Sequence, residues 1–195
     1  MIHEWWGLNN NIRHWSDRLA ALGYAALAVD LYDGTVATTP DEAMAAMKKV
    51  DTQEAKRILA AAVDFLQKDP RVKATKRAVI GWCFGGGWSL ETAMDHPELD
   101  AAVIYYGQLD TDPANLKKIK AHLLGIFANQ DKGIPPAEVD KFEAALKEAG
   151  VDATIKRYDA DHAFANPSGP RYDQEDAAAA WQELVEFLQK TMPAT

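Results

Sequence analysis

The sequence predicts an α/β fold, a mostly parallel sheet with helices packed on both faces, built as a single domain over residues 1–195. Three observations predict it. Short apolar runs rich in β-branched or aromatic residues recur along the chain, stretches of helical periodicity separate them, and glycine or proline closes most of the helical stretches. A strand buried on both faces has this continuous apolar character, and a parallel connection needs a helix to return the chain.

The expected strands are 24–29, 78–80, 101–106, 122–128 and 153–158. Helices are expected over 11–22, 52–67, 86–96, 136–149 and 173–190, where apolar residues recur at three- and four-residue spacing. Gly23, Pro70, Pro97 and Gly150 stand just past the first four, where a left-handed residue or a missing N–H stops a helix. The stretch 31–43, with Gly34, Pro40 and several threonines, reads as the longest loop and is placed to border a site.

A chain of 195 residues can bury a substantial core without disulfides or a structural metal. Its 21 basic and 29 acidic residues argue against a nucleic-acid or anionic-membrane surface, since both need clustered positive charge. The expected partner is therefore a small molecule, with no nucleic acid and no membrane, and the expected state is a monomer or weak homodimer. Cys83 is the single cysteine, so no intramolecular disulfide can form. The chain opens without a basic segment leading into an apolar stretch, and no apolar run approaches the ~20 residues that span a bilayer. A cytoplasmic location is the expectation.

The strongest local signal is Val79-Ile80-Gly81-Trp82-Cys83-Phe84-Gly85-Gly86-Gly87, a strand running into glycines and then into a helix. It has the G-x-S-x-G pattern of a nucleophile elbow with cysteine in the serine position. A sharp strand-to-helix turn leaves little room for Cβ atoms at Gly81 and Gly85, and its strained dihedrals push the central side chain into the open. The helix dipole favours a thiolate, and the Phe84 N–H is placed to donate to an oxyanion. A lone cysteine is otherwise most often a small buried hydrophobe. A phosphate-binding turn is the other alternative, but neither G-x-G-x-x-G spacing nor a G-K-[ST] ending is present.

A cysteine nucleophile needs a base and an orienting acid, and in this architecture they follow in the order nucleophile, acid, histidine after later strands. Asp131 follows the strand ending at Ala128, and His162 follows the strand ending at Tyr158. His162 is then the proton shuttle, and Asp131 fixes its tautomer. His3, His14, His96 and His122 lie in or beside expected elements as structural or surface groups. Asp159 and Asp161 are rival acids, better suited as turn or capping residues because they adjoin His162. No metal is expected: His3, Glu4 and His162 would have to converge without any H-E-x-x-H or C-x-x-C spacing.

With these pieces in place the chain resembles the dienelactone hydrolase family, the carboxymethylenebutenolidase-like α/β-hydrolases. The matching segments are Ile2-His3-Glu4-Trp5-Trp6-Gly7, Gly23-Tyr24-Ala25-Ala26, Asp30-Leu31-Tyr32, the elbow around Cys83, Tyr105-Tyr106-Gly107, Gln130-Asp131 and His162-Ala163-Phe164. The resemblance implies an α/β-hydrolase fold, a Cys83–Asp131–His162 triad without cofactor, and an oxyanion hole from the amides of Trp5 and Phe84. It also gives Glu4 a role: a glutamate here contacts the resting cysteine and is released by substrate, because a nearby carboxylate opposes a second negative charge. The alternative for Glu4 is a solvated carboxylate at a strand end.

Two departures accompany the resemblance. Family members carry a segment ahead of Ile2-His3-Glu4 that forms their first strands; here Met1 stands directly before it, so the chain is either a shortened form, for which an uncovered sheet edge is expected, or one whose start is misassigned. The family also holds a substrate carboxylate with arginines, one of them at the position of Asn166. Arg171, Lys48 and Lys49 are the replacements at hand, and strict dienelactone specificity is not expected. Trp5, Trp6, Trp82, Trp88 and Phe164 are either core packing or the walls of an apolar pocket, with Trp6 and Phe164 taken as walls and, with Asn166, as substrate contacts. The expected activity is opening of an ester or lactone through an acyl-enzyme. The alternatives are a short-chain carboxylesterase or thioesterase with the same triad, and a non-catalytic thiol sensor.

Overall fold

The computed structural model describes residues 1–193. Four parallel strands, β1 (Ala78–Trp82), β2 (Ala101–Tyr105), β3 (His122–Ala128) and β4 (Ala153–Tyr158), lie side by side in chain order. Their register pairs Ala78 with Ala101, Ala101 with His122 and Leu123 with Ala153. Ile2 extends the sheet beyond β1, forming isolated parallel bridges to Gly81 on one side and Val29 on the other. The expected strand over 24–29 is thus reduced to one bridged position. The hydrogen bonds of this stretch go to Met1, from the Val29 amide and to the Leu27 carbonyl, and to Leu19 and Met192 from the Tyr24 amide and hydroxyl, and alanines supply little side chain to pack.

Among the described residues seven helices surround the sheet: α1 (Asn10–Ala21), α2 (Pro40–Lys49), α3 (Thr52–Lys68), α4 (Phe84–Asp95), α5 (Pro113–Leu116), α6 (Pro136–Ala149) and α7 (Gln174–Thr191). Alternate side chains of β2 point to opposite faces, as the period of a strand requires. Ala102 and Ile104 join α3, α4 and α6 through Leu59, Leu90 and Phe142, whereas Val103 and Tyr105 join α1 and α7 through Trp15 and Leu184. Burial on both faces explains why all five β2 residues are apolar and fully enclosed.

The loop expected over 31–43 ends early because α2 begins at Pro40. Thr39 caps it with a reciprocal box in which the Thr39 side chain accepts from the Glu42 amide while the Glu42 carboxylate accepts from the Thr39 amide. The helices over 136–149 and the elbow helix have the expected positions, although α4 starts at Phe84, directly after Cys83. No helix among the described residues is long and apolar enough to cross a membrane.

Candidate active site

The site lies at the carboxyl ends of the strands, where β1 turns into α4. Cys83 adopts φ 54° and ψ −117°, a conformation that costs a side-chain-bearing residue strain of order 1–3 kcal/mol. The neighbours enforce it. A Cβ at Gly81 would run into the Gly85 carbonyl, and one at Gly85 would run into the carbonyls of Ile2 and His3. Close backbone approach therefore fixes both glycines, and the Cys83 amide is tied to the Tyr105 carbonyl at 2.9 Å.

Cys83 Sγ stands 3.2 Å from Nε2 of His162, and Nδ1 of His162 stands 2.6 Å from Oδ2 of Asp131. The Asp131 side chain is 1% exposed and His162 is 21% exposed. The other Asp131 oxygen accepts from the amides of Gly133 at 2.8 Å and Ile134 at 3.1 Å, so the loop after β3 orients the carboxylate. Burial opposes ionisation of Asp131, but bonds from His162, Ile134 and Gly133 outweigh it and hold its pKa below the usual value. Burial likewise disfavours the imidazolium of His162, yet its bonds to Asp131 and Cys83 and the charges there raise it to about 10. The rival acids serve elsewhere: Asp161 accepts from the His162 amide, and Asp159 accepts from the Gln130 side chain.

The amides of Trp5 and Phe84 donate to no backbone or side-chain acceptor among the described residues. Phe84 is the first residue of α4, where an amide has no partner within the helix. His3 holds the segment carrying Trp5: its Nε2 accepts from the Leu31 amide at 3.1 Å, which leaves Nδ1–H to donate to the Glu4 carbonyl at 2.6 Å. Both ring nitrogens are thereby occupied, and no cluster of three or more His, Cys, Asp or Glu side chains suited to a metal occurs among the described residues.

Glu4 is 3% exposed and faces a cavity of about 550 Å³ that also receives Cys83, His162, Trp6, Asn166 and Arg171. Its Oε2 accepts from Asn166 Nδ2 at 2.5 Å and from Asn11 Nδ2 at 3.4 Å, while Oε1 has no partner. Burial pushes this carboxyl up to about 7 against the pull of His162, the two amides and Arg171. The sulfur is paired with His162 and makes no hydrogen bond to Glu4, unlike the contact the resemblance implies. Asn166, expected against substrate, spends its amide on Glu4 and its carbonyl oxygen on the Ser168 amide at 2.8 Å.

A second groove of about 990 Å³ also reaches Cys83 and His162, lined by Trp5, Lys48, Lys56, Trp88, Leu109 and Ile134. Lys49 lies in a different depression, with Asp30 and Glu42. Phe164 is not a wall of either space and its placement corrects the expectation. It is completely buried against Tyr106 and Tyr158, because Ala163 at φ 63° turns the chain inward after His162. Sequence reasoning missed Asn11 and Tyr106. Tyr106 packs its ring 5.2 Å from that of His162 and has a buried hydroxyl without a partner; its neighbourhood in the elbow-facing loop was the available signal.

The parallel sheet, the elbow and the loops after β3 and β4 define an α/β-hydrolase acting on esters. The dienelactone hydrolase family model matches residues 1–192, and the chain belongs to that family. It is 34% identical over 201 residues to "Protein usf" of Aquifex pyrophilus, covering 97% of this chain and 86% of the relative. It is 32% identical over 197 residues to the "Putative carboxymethylenebutenolidase" of Aquifex aeolicus (strain VF5), covering 96% and 85%. Among solved structures, a dienelactone hydrolase-like promiscuous phosphotriesterase from metagenomic libraries superposes with a TM-score of 0.87 at 26% identity, covering 97% of this chain and 84% of that one.

Proposed function

We propose that the chain opens esters or lactones by covalent catalysis at Cys83. The observation that carries this reading is the continuous hydrogen-bonded path from Cys83 Sγ through His162 to buried Asp131. With the thiol proton held on His162 Nε2, the Cys83 thiolate attacks the substrate carbonyl and forms the C–S bond. The carbonyl oxygen becomes an oxyanion facing the amides of Trp5 and Phe84. Collapse breaks the ester C–O bond, and the proton on Nε2 passes to the leaving alkoxide. Water, deprotonated by the same nitrogen, then adds to the thioester, and collapse returns the acid product, the thiolate and the imidazolium. Asp131 keeps the Nδ1–H tautomer and balances the imidazolium charge throughout.

Substrate choice follows from the walls. Asn166 is engaged with Glu4, which leaves Arg171 as the one cation lining the Glu4 cavity, while the groove that also reaches the nucleophile sets Trp5, Trp88, Leu109 and Ile134 beside Lys48 and Lys56. These features favour a broad ester hydrolase over one restricted to dienelactone. The acidic balance and the single thiol support work in a reducing cytoplasm on a small molecule. Hydrolysis of a dienelactone and of a neutral aryl acetate by the purified chain and by Cys83→Ala tests the reading. Turnover of the aryl acetate at a rate comparable to the lactone, abolished in the variant, is expected. A folded wild type that turns over neither would sink the reading and leave the thiol-sensor alternative.

A further inference from the structure

Two spaces meet at the nucleophile, and they differ in what continues them. The Glu4 cavity of about 550 Å³ and the groove of about 990 Å³ both reach Trp5, Cys83 and His162. Beyond that shared point the cavity is walled by the chain that follows the histidine, through Ala163, Asn166 and Arg171. The groove is walled by the chain that follows the cysteine, through Phe84 and Trp88, and by Leu109 and Ile134 from the loops after β2 and β3.

These four apolar side chains are held by packing. Phe84 and Trp88 stand about one turn apart on α4, edge to face with ring centroids 6.3 Å apart, and both rest with Leu109 against the core that includes Ile134. The Ile134 amide donates to Asp131 Oδ1 at 3.1 Å, so this wall and the catalytic acid share one loop. Most charges along the groove are engaged with each other or with the backbone. Lys56 pairs with Glu91 and Asp95, and Asp110 accepts from the Asn115 side chain and the Asp112 amide. Lys48 is exposed, with its charge left in water.

A tetrahedral intermediate on Cys83 has three substituents to place. Its oxyanion faces the amides of Trp5 and Phe84, and its alkoxy oxygen must come to His162 Nε2 to take the proton. The alcohol half then leaves along the histidine, towards the Glu4 cavity. The acyl substituent takes the remaining direction, along α4.

We propose that the groove is the acyl subsite, and that Trp88 and Leu109 set its specificity for open-chain esters with an extended apolar acyl group. The Glu4 cavity takes the alcohol half, with Trp6 against it. The inference rests on the reading of Cys83 as nucleophile and adds a substrate class to it. An acyl chain lying on Trp88 and Leu109 is withdrawn from water, and each CH₂ fully buried there strengthens binding about fourfold.

The test is kcat/KM for two pairs of esters, read as a ratio within each variant so that losses common to both substrates cancel. The first pair, p-nitrophenyl hexanoate and acetate, varies the acyl half. The second, naphthyl and phenyl acetate, varies the alcohol half. Wild type is expected to prefer hexanoate to acetate by about tenfold or more, and Trp88→Ala and Leu109→Ala to cut that ratio about fivefold or more, with a smaller cut in the milder Trp88→Leu. The naphthyl-to-phenyl ratio should stay within about twofold of wild type in these variants and fall in Trp6→Ala, which in turn should leave the acyl ratio alone. A wild type without acyl-length preference would overturn the proposal, as would Trp88 and Leu109 variants that keep it. The reverse pattern, with Trp88→Ala acting on the naphthyl-to-phenyl ratio alone, would overturn it by exchanging the two subsites. Ester hydrolysis retained by Cys83→Ala, or a folded wild type inactive on all four esters, would remove the nucleophile reading and the proposal with it; Cys83-dependent hydrolysis with the wrong ratios removes the subsite assignment alone.

Discussion

Asp131 and His162 are 31 residues apart in the chain and 2.6 Å apart in space, and the carboxylate that bridges them is anchored by two amides of its own loop. Asp131→Asn keeps the acceptor for those amides but presents an NH₂ group to Nδ1. The imidazole must then place its hydrogen on Nε2, facing sulfur, where it cannot act as a base. The expected result is a loss of kcat of at least about a hundredfold with little change in melting temperature. Steady-state ester hydrolysis beside thermal unfolding checks it; unchanged kcat would show that His162 does not need this partner.

Glu4 gives the protein a pH-dependent stability whose sign is fixed. Its folded pKa is raised to about 7, so the folded state binds the proton more tightly than the unfolded chain. This contribution is favourable below the ordinary carboxyl value and is lost as pH rises towards 7, amounting to roughly 3 kcal/mol at most. Glu4→Gln removes the dependence. Its stability relative to wild type should therefore rise between pH 4.5 and pH 8 in urea unfolding, and a constant difference across that range would contradict the assignment.

The elbow glycine Gly85 has no space for a side chain, since a Cβ would meet two carbonyls of the segment carrying Glu4. Backbone, unlike a flexible side chain, cannot yield cheaply. Gly85→Ala is expected to cost about 3 kcal/mol or more and to remove activity together with stability. A variant that unfolds in urea like wild type would refute the packing described.

Phe164 and Trp6 separate stability from recognition. Phe164 is fully enclosed among aromatic rings, so Phe164→Ala should cost about 3–5 kcal/mol of stability. Trp6 is partly exposed and lines the Glu4 cavity, so Trp6→Ala should cost about 1 kcal/mol or less and act on KM. Urea midpoints and KM for an aryl ester distinguish the two, and the reverse pattern would overturn both placements.

The parts of this molecule that follow a local rule were legible in the sequence. The helix over 136–149 is flanked by Pro135 and Gly150 and has the bounds its punctuation indicates, and Cys83, Asp131 and His162 come together because each follows a strand at the same end of a parallel sheet. The parts that depend on contacts between distant loops were not. Asn166 and Glu4 are 162 residues apart, and no spacing announces their bond. Phe164 shares a motif with His162 but is turned into the core by the left-handed Ala163. The helix α2 was hidden for another reason: Thr39-Pro40-Asp41-Glu42 has the composition of a turn, and the capping box in it is the same residues read with their hydrogen bonds.

Covalent catalysis at Cys83 is tested most directly by quenching the enzyme with acid during turnover of an aryl ester and mapping the mass of the peptide that contains Cys83. The account predicts an added acyl group on Cys83, present in wild type during turnover and absent from Cys83→Ala, which should also be inactive. An unmodified Cys83 together with full hydrolysis by the alanine variant would contradict it.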